Sequence, residues 1–156
     1  MHFLIPHKSS DKFGVPLNVL MSFVHQKNFD GTGMPAHFDF SNVKFASPLL
    51  LCGISALYDQ LTENGIGVEF TFNKDIKSYL DSISFYVGIN PYDYTLSDLE
   101  NRFQNFHSKN YFPITQFPAS NSEDGSLLRE RTLSAINEII KTQLTLSGNI
   151  LQAIFY

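Results

Sequence analysis

The chain has 156 residues, 43% of them hydrophobic and 17% charged, which is enough apolar side chain for a buried core and too little charge for a disordered segment. Length fits one domain, or one domain and the start of a second. Eleven basic against 15 acidic residues leave a net charge of −4, so the chain carries no overall basic surface for nucleic acid. One cysteine, Cys52, excludes an internal disulfide and a multi-cysteine zinc site, as in an intracellular protein. With 15 Phe, 7 Tyr and no Trp, aromatic rings should dominate the core.

Phe3 to Ile5, stopped by Pro6, reads as a first or edge strand. Pro16, Leu17, Leu20, Met21 and Val24 have the spacing of one helical face, predicting a helix of about ten residues, and Asn28 to Pro35 is a loop of turn formers. Alternating residues from His37 predict a strand through Ser41. Ser47 before Pro48 predicts a helix N-cap with proline in the first turn. Leu50, Ile54, Leu57, Tyr58 and Leu61 should form that helix's apolar face, with Ser55, Gln60, Thr62 and Glu63 opposite, and Asn64-Gly65 should end it with Ile66 folding back. Val68, Phe70 and Phe72 predict another strand, and Ile76, Tyr79, Leu80 and Ile83 a helix after it. Strand and helix alternate, which implies an α/β domain with mostly parallel strands.

Further on, Leu96, Leu99 and Phe103 predict a short helix capped by Thr95 or Ser97, and Tyr111 to Phe117 an extended edge segment around Pro113. Pro118 to Gly125 reads as a polar connector before a long helix that begins near Leu127, with Gly148 as a point where it would break. The apolar run Ile150 to Tyr156 lacks the capping and polar tail of an ordinary terminus, so the chain is expected to be a fragment of a longer protein.

No segment approaches the ~20 apolar residues of a membrane-spanning helix, the longest run being 45–51, and no basic leader precedes a long apolar stretch. A cytoplasmic protein with no membrane partner is the expectation. His2, His7, His25, His37 and His107 have no metal-site spacing, so no metal and no cofactor is expected. Cys52, early in an apolar helix, reads as an inert core thiol. Phosphate-loop, dinucleotide and nucleophile-elbow motifs are lacking. Asp39, followed by Phe40 and Ser41, lacks the second aspartate a phosphoaspartyl magnesium site needs. Asp30 to Met34 is one residue short of an Asp-x-Gly-x-Gly nucleotide box and reads as a turn.

The run Phe38-Asp39-Phe40-Ser41-Asn42-Val43-Lys44-Phe45-Ala46-Ser47-Pro48-Leu49-Leu50-Leu51, with Leu57-Tyr58 and Asn64-Gly65-Ile66, resembles the strand, loop and helix of STAS domains of the anti-sigma factor antagonist type. That resemblance implies a small mixed sheet with helices packed on it. It also implies a phosphate-accepting hydroxyl at the helix start, where a dianion is stabilised by the helix dipole and free amides. Here the corresponding box falls on Ser47-Pro48-Leu49-Leu50, so Leu49 stands at the acceptor position and cannot be phosphorylated, while Ser47 serves as the helix cap. Tyr111 to Phe117, the acidic connector and the final helix resemble the lead-in to a Bergerat-type ATPase, although the chain stops before any Glu-x-x-x-Asn box and should not bind ATP alone.

Together these readings give a STAS-like α/β domain over 1–90, a connector over 91–125 and a long helix over 126–156. The resemblance implies a non-catalytic regulatory module that docks on a Bergerat-type ATPase or kinase module, in the same chain or another. Asp39, Asn42, Lys44, Ser47 and Leu49 are its candidate partner contacts, and the final helix is a coupling or homodimer element. The competing reading is a small-ligand site or enzyme in the crevice at the carboxyl ends of the strands, lined by Asp39, Ser41, Asn42 and Ser47.

Overall fold

The computed structural model describes residues 2–5, 15–25, 34–109, 111–117 and 122–155, without the side chains of 15–17, 24–25 and 146–155. The loop expected at Asn28 to Pro35 lies largely outside these residues, as do His7 and most of the connector from Pro118. Two compact units divide the chain, Met1–Val87 and Gly88–Tyr156.

The first unit runs β1 (His2–Leu4), α1 (Val15–His25), β2 (Ala36–Phe40), α2 (Pro48–Glu63), β3 (Val68–Phe72) and α3 (Lys74–Ser82). Its architecture is α/β, as the alternation implies. The sheet differs from the mixed one expected: β1, β2 and β3 pair in that order and both pairings are parallel. Each strand is joined to the next by a helix, and a helical crossover returns the chain parallel. Two right-handed crossovers stepping the same way leave both helices on one face of the sheet.

The period-two alternation of the strands decides what lies on that face. Phe3, Phe38 and Phe70 stand in register across the three strands, as do Phe40 and Phe72 on β2 and β3. Their rings form a ladder, Phe3 on Phe38 at 4.9 Å and Phe38 on Phe70 at 5.3 Å. Phe23 of α1 closes over Phe3 at 4.9 Å, Tyr58 of α2 reaches Phe70 at 6.1 Å, and Tyr86 stacks on Phe70 at 4.1 Å. Phe3, Phe38 and Phe40 are buried. Aromatic rings thus carry the core of this unit.

α2 forms where its caps demand. Ser47 is extended and its hydroxyl accepts the amide of Leu50 at 3.3 Å. At the other end Gly65 adopts φ +73°, its amide donates to Thr62 and the amide of Ile66 donates to Leu61. This double closure is the glycine-terminated helix end the sequence predicts. α1 and α2 approach closely at Gly53, where an added Cβ would collide with the Leu20 side chain.

Two side chains of α2 correct the helical-face reading. Ser55, expected on the polar side, is buried, and its hydroxyl has no hydrogen-bond partner. Cys52, expected in the core, is exposed. An unpaired buried hydroxyl costs more than the methyl that replaces it, so Ser55→Ala is expected to raise stability by about 1 kcal/mol in urea unfolding. No gain would mean that Ser55 finds a partner in solution.

The second unit holds a short 3-10 turn (Pro91–Asp93), α4 (Leu96–Gln104) and α5 (Glu123–Phe155). Thr95 caps α4, its hydroxyl accepting the amide of Asp98. Tyr111 to Phe117, expected to be extended, contributes one parallel bridge, Thr115 with Ile89. Ile89, Leu99, Phe103 and Ile139 form a buried cluster, with Tyr94, Phe106, Leu128, Ala135 and Ile136 around it. Residues read as connector and residues read as final helix therefore share one core. α5 begins at Glu123, earlier than its apolar pattern, because Ser122 caps it by accepting the amide of Gly125, and the backbone runs helical through Gly148. Among the described residues no helix is long and apolar enough to cross a membrane.

Candidate functional site

The carboxyl end of the sheet is built by two loops that one asparagine ties together. β2 leaves the sheet in a turn closed by the Val43 amide on the Phe40 carbonyl at 3.1 Å, with Val43 buried. The Asn73 side-chain amide donates to the Val43 carbonyl, while its carbonyl oxygen accepts the amides of Asp75 at 2.9 Å and Ile76 at 3.0 Å. Asn73 therefore caps α3 and fixes the β2–α2 loop against it. Between the two, Lys44, Phe45, Ala46, Asp75, Ile76 and Tyr79 line a cleft of about 330 Å³. Open parallel sheets place ligands at this end of their strands.

The β2–α2 loop and the first turn of α2 expose apolar side chains. Phe45 is 45% exposed and Leu49, in the first turn of α2, is 51% exposed. Tyr79 is partly exposed, and burial first, then nearby Cys52, pushes its phenol above the ordinary range. Burial also pushes the Cys52 thiol up.

The five residues singled out by sequence do not form one cluster. Lys44 lines the cleft, Leu49 is exposed on the first turn of α2, and Asn42 is exposed in the turn before them. Ser47 is 3% exposed and spends its hydroxyl on the α2 cap, which leaves it unsuited to contact a partner. Asp39 lies on the opposite sheet face from the phenylalanines. Asp75 and Tyr79 escaped the sequence reading because α3 brings them in. The signal available was Asn73 before a helical run, which fixes where α3 starts but not what it faces.

Comparison with protein-family models, with curated proteins and with solved structures finds no match to this chain.

The second face of the sheet carries polar side chains. His2, His37 and Glu69 stand in one row across the strands, and Leu4, Asp39 and Thr71 in the next. His37 Nε2 and Thr71 Oγ1 are hydrogen bonded at 2.7 Å, His2 Nε2 lies 3.6 Å from Asp39 Oδ2, and the two imidazole rings are 4.8 Å apart. Among the described residues no group of three His, Cys, Asp or Glu side chains is placed to hold a metal ion.

Hydrogen bonds from Ser41, first its hydroxyl and then its amide at 2.8 Å, hold the Asp39 carboxyl below the usual carboxylate range, with smaller help from His2 and His37. A carboxyl whose pKa falls on folding stabilises the fold above its unfolded pKa, and that contribution is lost as pH drops through about 4 toward the lower folded value. Asp39→Asn is therefore expected to flatten the acid limb of stability against pH. Urea midpoints measured from neutral pH down to about 3 check this, and parallel curves for both proteins would contradict it.

Within the second unit, α4 and α5 leave a smaller groove of about 180 Å³ lined by Glu100, Gln104, His107, Arg131, Ser134 and Glu138 among others. Arg131 lies 3.9 Å from Glu100, and Lys141 pairs with Glu138 at 2.6 Å. Opposite charges in and beside this groove are already matched within the unit.

Proposed function

We propose that the first unit is a non-catalytic regulatory interaction module of the anti-sigma factor antagonist type, working in the cytoplasm and docking on a Bergerat-type ATPase or kinase module in cis or in trans. The supporting observation is Leu49, half-exposed in the first turn of α2, four positions after exposed Phe45. The STAS resemblance puts a phosphorylated hydroxyl at that position, and an exposed leucine offers the same surface as an apolar contact without the chemical switch. Lys44 adds one charge at its border. Binding by such a surface comes from desolvating a few large side chains at its centre.

Titration calorimetry of the full chain against Bergerat-type ATPase modules encoded by the same genome tests the proposal. Binding is expected, and Leu49→Asp or Phe45→Asp should weaken it by about tenfold or more with unchanged thermal melting. Binding that survives both substitutions, or no binding to any such module, refutes it. The cleft beside Lys44 supports a second reading, a small ligand held at the carboxyl end of the strands. A metabolite that raises the melting temperature of the isolated chain, with Lys44→Ala abolishing the rise, would favour that reading.

A further inference from the structure

α5 has more apolar surface than its own unit covers. Leu128, Ala135, Ile136 and Ile139 pack toward the cluster with α4, and Gln143 donates to the carbonyls of Phe106 and Tyr111. These contacts reach Gln143, and the backbone of α5 continues helical to Phe155, about 18 Å farther at 1.5 Å per residue. Leu133, Ile140 and Leu144 are 41%, 38% and 66% exposed. Steps of seven and four residues keep these three positions within a narrow stripe of the helix, beside the face already packed.

The spacing of that stripe is symmetric. In sequence, Leu133, Ile140, Leu144 and Leu151 follow one another at intervals of seven, four and seven positions, centred on Thr142. A second α5 laid antiparallel about a two-fold axis at that centre brings position 133 opposite 151 and position 140 opposite 144. Contact of one patch with itself is what a two-fold dimer requires, and a docking site for an unrelated partner has no need of this symmetry. The intervening stripe positions hold Asn137 and, symmetric to it, Ser147, so no charge is buried at the seam. A lipid surface is a poor occupant: α5 carries Glu123, Asp124, Glu130 and Glu138 against Arg129, Arg131 and Lys141, without the basic excess that anionic headgroups select.

We propose that two copies of this chain associate through α5, antiparallel, with the stretch 133–151 of one copy seated on the same stretch of the other. Sedimentation velocity and light scattering on the full chain test it. The mass is expected to rise from 17.7 kDa toward twice that value over micromolar concentrations. The double substitution Ile140→Glu with Leu144→Glu should weaken association on the order of a hundredfold while helical circular dichroism is retained, both side chains being exposed. Direction is read by disulfide cross-linking on a Cys52→Ser background: Ile140→Cys mixed with Leu144→Cys should cross-link faster than either alone. A chain that stays monomeric, a dimer indifferent to the double substitution, a monomer that sediments with anionic vesicles, or faster cross-linking within each single variant would each overturn the proposal.

Discussion

Phe38→Ala is expected to cost the first unit about 3–5 kcal/mol, close to the whole stability of a small domain. Phe38 is fully buried at the centre of the middle strand, with its ring between Phe3 at 4.9 Å and Phe70 at 5.3 Å and the edge of Phe23 at 6.1 Å. Truncation removes the ring that all three neighbours share, and strands pinned in register on both sides cannot close the void. Urea unfolding followed by tyrosine fluorescence suits a chain without tryptophan. Phe72→Ala serves as a comparison: Phe72 is half-buried on the outer strand, and a smaller loss is expected there. Equal losses at the two positions would mean that the ladder is not the organising feature of the core.

Ile139→Ala should destabilise the second unit by about 2–4 kcal/mol. Ile139 is fully buried, and the buried residues it clusters with, Ile89, Leu99 and Phe103, all belong to the same unit. Hydrogen exchange gives the site-resolved measurement. Protection should fall in α4 and in α5 around position 139, and at the amides of Ile89 and Gln116 that hold the 89–115 bridge. Unchanged exchange in α4 would show that α5 does not depend on it.

How far the sequence was legible depends on which residues set each feature. Helix ends are governed by local chemistry, and they read directly: Ser47 and Pro48 opened α2, Gly65 with Ile66 closed it, and Thr95 opened α4. Features decided by distant packing did not. Cys52 and Ser55 exchanged their expected places because the buried arc of α2 runs through Leu51, Ile54 and Ser55 and leaves Cys52 outside it, a choice of face that neighbouring elements make and local sequence does not. The start of α5 was hidden because Glu123, Asp124 and Gly125 look like connector, although an acidic first turn after a capping serine favours a helix. The parallel sheet followed from the alternation of elements, and among the described residues its pairings are all parallel and not mixed as the family resemblance implies. At the candidate site, Lys44 and Leu49 were legible as exposed loop and first-turn residues, whereas Asp75 and Tyr79, which line the cleft with Lys44, depend on where α3 lands.

The topology of the sheet also constrains how the protein comes into being. Paired residues such as His2 with His37 and His37 with Glu69 are more than thirty positions apart, and among the described residues no hairpin brings two strands together early. A nascent chain leaving the ribosome therefore holds β1 without a mate until the first crossover has been synthesised, and Phe38 keeps one flank bare until β3 follows. Ring stacking rewards the third strand most, because only its arrival sandwiches the middle ring, so the sheet should form in one late cooperative step and not strand by strand.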